Sequence, residues 1–286
     1  MRCTLRSNAG LRHLTGFTLV EMLIVAPIVL LTIAIFIGTI LYLTGETLVA
    51  RTSNILAYEV QDSLNNIEYD VATSGAFLAT NSVTIASPQG YNNATQNFAN
   101  ASTANGTMLI INTSATSDSP YWSDRQVIPL QNMPHACGSS SVNQNQVMTY
   151  NIVYFVKDNA LWRRTLMPSN YLTIGCNGQR PWQKPSCASG MTGTMCQTKD
   201  IKLLDGVSSV NFTIQYFTTP QSSTPVADAS SNAASTTNRQ IALSTTDTAH
   251  ITIHAVRSVA GKQATYTGTL RVSRVGPLTE HVTPVP

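Results

Sequence analysis

From Met22 to Leu43 the chain carries no charged residue, and the position just before that run is an acid, Glu21. An apolar stretch this long folds only where something other than water covers it. If Phe17 to Thr44 is helical, it extends about 42 Å at about 1.5 Å per residue, enough to cross a hydrocarbon core of about 30 Å. A carboxylate at the edge of such a segment is costly in lipid and calls for a partner.

Residues 1–16 carry Arg2, Arg6, Arg12 and His13 and no acid. A secretory signal would place its cleavage site after the apolar region. Here Gly16 precedes it, so a cut after Gly16 leaves the hydrophobic helix in the mature protein. The arginines lie on the N-terminal side, which puts the leader in the cytoplasm and the C-terminal bulk outside. The whole chain has 17 Lys+Arg against 14 Asp+Glu. Without Arg2, Arg6 and Arg12 the two balance, so whole-chain charge gives no reason to expect nucleic acid or acidic substrates as partners.

The segment Gly16-Phe17-Thr18-Leu19-Val20-Glu21-Met22-Leu23-Ile24-Val25 resembles the processing site of type IV prepilins and type II secretion pseudopilins. The resemblance implies cleavage by a prepilin peptidase between Gly16 and Phe17, N-methylation of Phe17, and an assembly role for Glu21. It also implies other pilin or pseudopilin subunits, a membrane platform and an assembly ATPase as partners. Pro27 departs from the pattern, since family members more often carry their helix-breaking proline about two turns later. An interior proline removes one backbone hydrogen bond.

Beyond Thr44, Leu48, Ile55 or Leu56, Val60, Leu64, Ile67 and Val71 recur at helical spacing, with Arg51, Glu59, Asp62 and Glu68 on other faces. One helix is therefore expected from Phe17 to about Ser74, with Gly45 as a soft point and Ser74-Gly75 as the stop. The layout is a leader at 1–16, a transmembrane helix at 17–44, its amphipathic continuation at 45–75 and an extracytoplasmic head at 76–286.

The head reads as antiparallel β, making the fold class α+β with a long N-terminal helix on a β head. Strands are expected at Thr107–Asn112, Val147–Val156, Ala160–Leu166, Val210–Phe217, Ala249–Val256 and Thr265–Val272. Turns fall at Lys157-Asp158-Asn159 and near Gly261-Lys262. Thr218–Gln240 is Ser/Thr/Ala/Asn-rich and reads as a flexible loop. Residues 79–106 are similarly polar and yield no assignment. The order of elements, with Leu161-Trp162-Arg163-Arg164, Leu203-Leu204-Asp205-Gly206 and the final pair ending Arg271-Val272-Ser273-Arg274, is similar to J-type minor pseudopilins and PilW-like minor pilins. Trp162 stands where those families carry tyrosine.

Cys137, Cys176, Cys187 and Cys196 all fall in the extracytoplasmic part, where disulfides persist. Two bridges are expected, and sequence leaves all three pairings open. Zinc is disfavoured by the spacings and by the compartment. His250 and His254 are four apart but alternate with apolar residues, so on a strand they lie about 13 Å apart, too far to share an ion. Ser-x-x-Lys, Gly-x-Ser-x-Gly and phosphate-loop patterns are absent. The chain reads as a non-enzyme without cofactor or metal. It is expected to be a filament subunit, with a pilus-borne module binding DNA, a surface or a secreted substrate as the alternative. Arg163, Arg164, Arg257, Lys262, Arg271 and Arg274 would supply a basic face if the last strands adjoin the hairpin.

Overall fold

The computed structural model describes residues 18–85, 87–92, 97–99, 101–102, 106–119, 125–130, 147–229 and 235–275. Gly16, Phe17 and Cys137 lie outside them. Helix α1 spans Leu19–Ala72, 54 residues or about 81 Å, and runs unbroken through Pro27 and Gly45. It begins two residues later than expected, because Thr18 is its N-cap. It also ends sooner: Thr73 caps it, and the Ser74 amide turns back to the Val71 carbonyl at 3.0 Å.

The two halves of α1 differ in what covers them. Every residue from Leu19 to Thr44 is exposed, and this one helix is long and apolar enough to cross a membrane. In the second half Leu56, Val60, Leu64, Ile67 and Val71 are buried at helical spacing. Each contributes about 1.5–3 kcal/mol of gross transfer free energy. Leu56 rather than Ile55 faces inward, and Leu48 stays exposed.

After the helix come β1 (Ala76–Phe77), β2 (Ala101–Ser102), β3 (Gly106–Thr107), β4 (Leu109–Ser114), β5 (Thr149–Lys157) and β6 (Ala160–Leu166). Then follow β7 (Ser186–Cys187), β8 (Thr198–Lys199), β9 (Ile201–Asp205), β10 (Phe212–Phe217), helix α2 (Thr236–Ser244), β11 (Thr248–Val259) and β12 (Lys262–Ser273). A five-stranded antiparallel sheet has the order β1-β4-β5-β6-β9, and a three-stranded one the order β10-β11-β12. Both expected hairpins form. Asp158 and Asn159 sit at φ 52° and 57°, and Ala260 and Gly261 at 52° and 75°. Two consecutive positive values are what a two-residue turn needs to match strand twist.

The α1 second half packs mainly along β12, then against β11 and β9. Its stripe joins one core with Ile111, Ile152 and Tyr154 from the larger sheet and Phe212, Ile251 and Ile253 from the smaller. The larger sheet is buried on its other face too. Ile110, Val153 and Phe155 pack there with Leu78, Val83, Tyr91 and Phe98. The polar-looking stretch after β1 is thus a cover for the sheet, anchored by four widely spaced apolar side chains that show no period.

The flexible loop expected at Thr218–Gln240 needs correcting. Its end forms α2, whose N-cap Ser235 accepts from the Asn238 amide at 3.1 Å. Arg239 and Leu243, one turn apart, are buried. Gln240 Oε1 accepts from the Ala79 amide at 2.8 Å, tying α2 to the cover segment. Composition hid a helix whose apolar face is one leucine wide.

Gly268 of β12 lies where α1 crosses the strand. A Cβ there would stand 2.5 Å from Val60 Cγ1 and 2.9 Å from Leu64 Cδ1. Gly268→Val should therefore push α1 off the sheet and destabilise the head by about 1–3 kcal/mol, the usual range for overpacking. Urea unfolding of the detergent-solubilised chain, followed by near-ultraviolet circular dichroism, measures it. An unchanged midpoint would mean that the helix does not rest on this strand.

Candidate functional site

The N-terminal end of α1 is closed by a reciprocal pair. Thr18 Oγ1 accepts from the Glu21 amide at 3.3 Å. Glu21 Oε2 accepts from the Thr18 amide at 2.9 Å and from the Thr18 hydroxyl at 2.8 Å. This is a capping box, the Ser/Thr-x-x-Glu arrangement that satisfies helix-end donors. Glu21 is therefore the third helical residue, and its carboxylate is folded back onto the Thr18 amide and hydroxyl at the helix N-terminus. A carboxylate in the first turn also sits at the positive end of the helix dipole. Thr18-Leu19-Val20-Glu21 was legible as a capping box from its spacing, and sequence reasoning passed over it.

At the other end of the bare segment, the β11–β12 hairpin tip reaches the helix. Lys262 pairs with Glu46, and its Nζ lies 4.4 Å from the centre of the Tyr42 ring. The hydrogen bond from Lys262 holds the Glu46 carboxyl below its usual range, and the same bond holds Lys262 above its own. Both groups are solvent-exposed, so the pair adds little stability. It does mark where the head begins, leaving about 37 Å of α1 free on its N-terminal side.

The basic residues that would line a face if the last strands adjoined the β5–β6 hairpin do not form one. Strands β11 and β12 belong to a different sheet from the β5–β6 hairpin. Arg257 pairs with Glu59, Lys262 with Glu46, and Arg274 with Asp247 at 2.6 Å. Arg271 donates to the Ser222 carbonyl and lies 4.1 Å from the Phe217 ring centre.

Arg163 and Arg164 are the structural centre of the head. Arg163 points toward α1, where its Nε and Nη2 hold both oxygens of Asp70 at 2.6 and 3.2 Å. The Tyr154 hydroxyl donates to the same carboxylate at 2.5 Å. Arg164, only 1% exposed, points the other way. Its Nη2 meets Asp200 at 2.5 Å, and its Nη1 donates to the Gln89 and Gly90 carbonyls at 2.8 Å each. The guanidinium also sits 5.3 and 5.5 Å from the Phe155 and Phe98 rings. Ser186 completes the set, donating to Asp200 and accepting from the Thr165 amide. Asp70 and Asp200 gave no signal in the sequence, because their partners lie 93 and 36 residues away.

Cys187 and Cys196 are bridged, settling one of the open pairings. Cys176 is disulfide-bonded as well, to a cysteine outside the described residues. His250 and His254 both lie on β11, and His254 Nδ1 shares a hydrogen bond with Thr267 Oγ1 at 2.6 Å. Among the described residues no group of three metal-ligating side chains occurs.

Removing one partner of a buried pair leaves an uncompensated charge, which costs about 3–5 kcal/mol. Arg164→Ala should lose that much in urea unfolding, and Arg164→Lys should recover only part, having no fork to span Asp200 and two carbonyls. Burial, then the Asp70 carboxylate, pushes the Tyr154 hydroxyl well above the ordinary tyrosine value of 10.0. A raised value means that the fold binds the proton more tightly. Stability is then full below pH 10 and is lost as pH rises beyond it. The alkaline loss of midpoint should be shallower in Tyr154→Phe, and an identical slope would remove Tyr154 as its source. Compared with known proteins, the chain matches no family model, no curated protein and no solved structure.

Proposed function

We propose that this chain is a minor pilin or pseudopilin, a structural subunit of a type IV pilus-like filament serving motility and adhesion, secretion or DNA uptake. The observation that carries the reading is the conjunction of the Gly16-Phe17…Glu21 motif with a helix of two unequal halves. The first half is exposed along its whole length, and the second is built into a β head. An apolar rod of about 37 Å needs lipid before assembly and sister helices after it. In this reading the protein crosses the membrane once, with its head in the periplasm or at the cell surface.

Prepilin peptidase would cut between Gly16 and Phe17 and methylate the new amine. Glu21 of an incoming subunit then pairs with the Phe17 ammonium of a subunit already in place. Each charge partly offsets the desolvation of the other, and the pair sets the axial register more than it adds stability. The capping box gives Glu21 a second duty within its own helix. A glutamine keeps the box, since its side chain also accepts from the N-cap amide, but it cannot form the ion pair.

Expressed with a prepilin peptidase, the wild-type chain should yield a mature N-terminal Phe17 by mass spectrometry, and Gly16→Ala should keep its leader. Glu21→Gln should be processed normally yet be depleted at least tenfold from sheared filaments. Incorporation equal to wild type would sink the pairing mechanism, and mature Phe17 in Gly16→Ala would reject the cleavage site. The second reading, a binding module carried at the filament tip, draws on a cleft in the head.

A further inference from the structure

Between α1 and the disulfide-stapled segment lies an open cleft of about 820 Å³, within the range of ligand sites. Asn65 and Tyr69 of α1 form one wall, and Trp182, Lys184 and Lys199 the other. The larger sheet supplies the floor through Tyr150, Thr113 and Thr165. The Cys187–Cys196 bridge braces the second wall.

Three features of this cleft go beyond what the fold requires. Tyr150 is 8% exposed, its ring belongs to the main core, and it lines the floor. Its hydroxyl makes no hydrogen bond to the described residues and is left to the cleft. Trp182 is 51% exposed, a large planar face held open by its backbone, whose amide donates to the Thr116 carbonyl at 2.8 Å. Lys184 and Lys199 are exposed at the rim without an acidic partner among the described residues.

The other charges are largely accounted for. Asp70 is held by Arg163, and Lys202 by Asp205 outside the cleft. Arg125 donates to the Tyr69 hydroxyl at 3.5 Å. Asp62 is the remaining acid of the lining. The surplus is therefore cationic and sits at the rim, above hydroxyl and amide groups with one open aromatic face.

We infer that this cleft binds a short acidic saccharide of one to three rings. A sugar ring presents a C–H face to Trp182 and hydroxyls to Tyr150 and the Asn65 amide, while its carboxylates meet Lys184 and Lys199. The lining favours this over an acidic peptide, because its apolar surface is mostly aromatic and only Ile201 and Leu203 are aliphatic, while hydroxyl and amide groups line the rest. Two unpaired lysines are also too few to follow a nucleic-acid backbone, where affinity rests on many phosphate contacts. The inference is independent of the filament reading, since it concerns the head alone.

The test is a titration of the full chain in detergent with trigalacturonate, read by tryptophan fluorescence and calorimetry. Cellotriose and triglutamate serve as the neutral and peptide controls. Saturable trigalacturonate binding is expected, weakening with added salt as exposed charges are screened. The double variant Lys184→Gln/Lys199→Gln should weaken it at least tenfold, and Trp182→Ala should abolish it. Both alter exposed positions, so their urea midpoints should equal wild type. Tyr150→Phe should weaken binding several-fold. No saturable binding up to millimolar trigalacturonate overturns the inference. So does equal binding of cellotriose, equal or tighter binding of triglutamate, or indifference to the lysine pair. None of these outcomes affects processing at Gly16 or incorporation through Glu21.

Discussion

Successive residues of a strand point to opposite faces, so the neighbours Arg163 and Arg164 reach into different layers of the head. Arg163 clamps the last turns of α1 through Asp70, with Tyr154 beneath it. Arg164 gathers the cover segment through Gln89 and Gly90, and the stapled segment through Asp200 and Ser186. Helix, sheet and irregular outer layer are thus joined at two consecutive positions of β6. The outer layer has little regular structure of its own. It holds its place because Phe98, Tyr91 and Leu78 have apolar partners and because one guanidinium satisfies its turned-in carbonyls.

That arrangement places the rest of the molecule. The head grips α1 only from about Glu46 onward, where the β11–β12 tip meets it. Gly268 allows the closest approach further along. Everything N-terminal of the grip is exposed, from the capping box at Thr18 to Leu41. The same clamp sets the cleft, because Asp70 and Arg163 lie in its lining and Asp200 anchors the wall that carries Lys199. The cleft opens on the head rather than on the apolar rod.

The parts legible in the sequence were those with a local cause. The β5–β6 turn at Asp158-Asn159, the alternation in β10 and the stripe from Leu56 to Val71 each depend on residues near one another in the chain. What escaped had distant causes. Helix α2 has one buried leucine and one buried arginine, too narrow a face for periodicity to detect amid Ser, Thr and Asn. The cover segment is irregular, so no period exists to find. Strands β4 and β5, buried on both faces and without strict alternation, were found but with ends off by up to two residues. The arginines read as surface charge because a sequence shows their number and not the carboxylates that fold brings to them.

Sequence alone therefore determined the two-part plan: an apolar helix long enough to cross a membrane, its amphipathic continuation, and a β head. These follow from hydrophobic length and spacing, which are properties of contiguous residues. Tertiary structure alone decided which arginine meets which aspartate, that Cys187 bonds Cys196, and that Tyr150, Trp182 and two lysines without an acidic partner among the described residues share a cleft. Those outcomes depend on the register between strands and on where α1 comes to rest. Burial makes an unpaired charge or hydroxyl costly, so the fold settles where nearly all of them are matched.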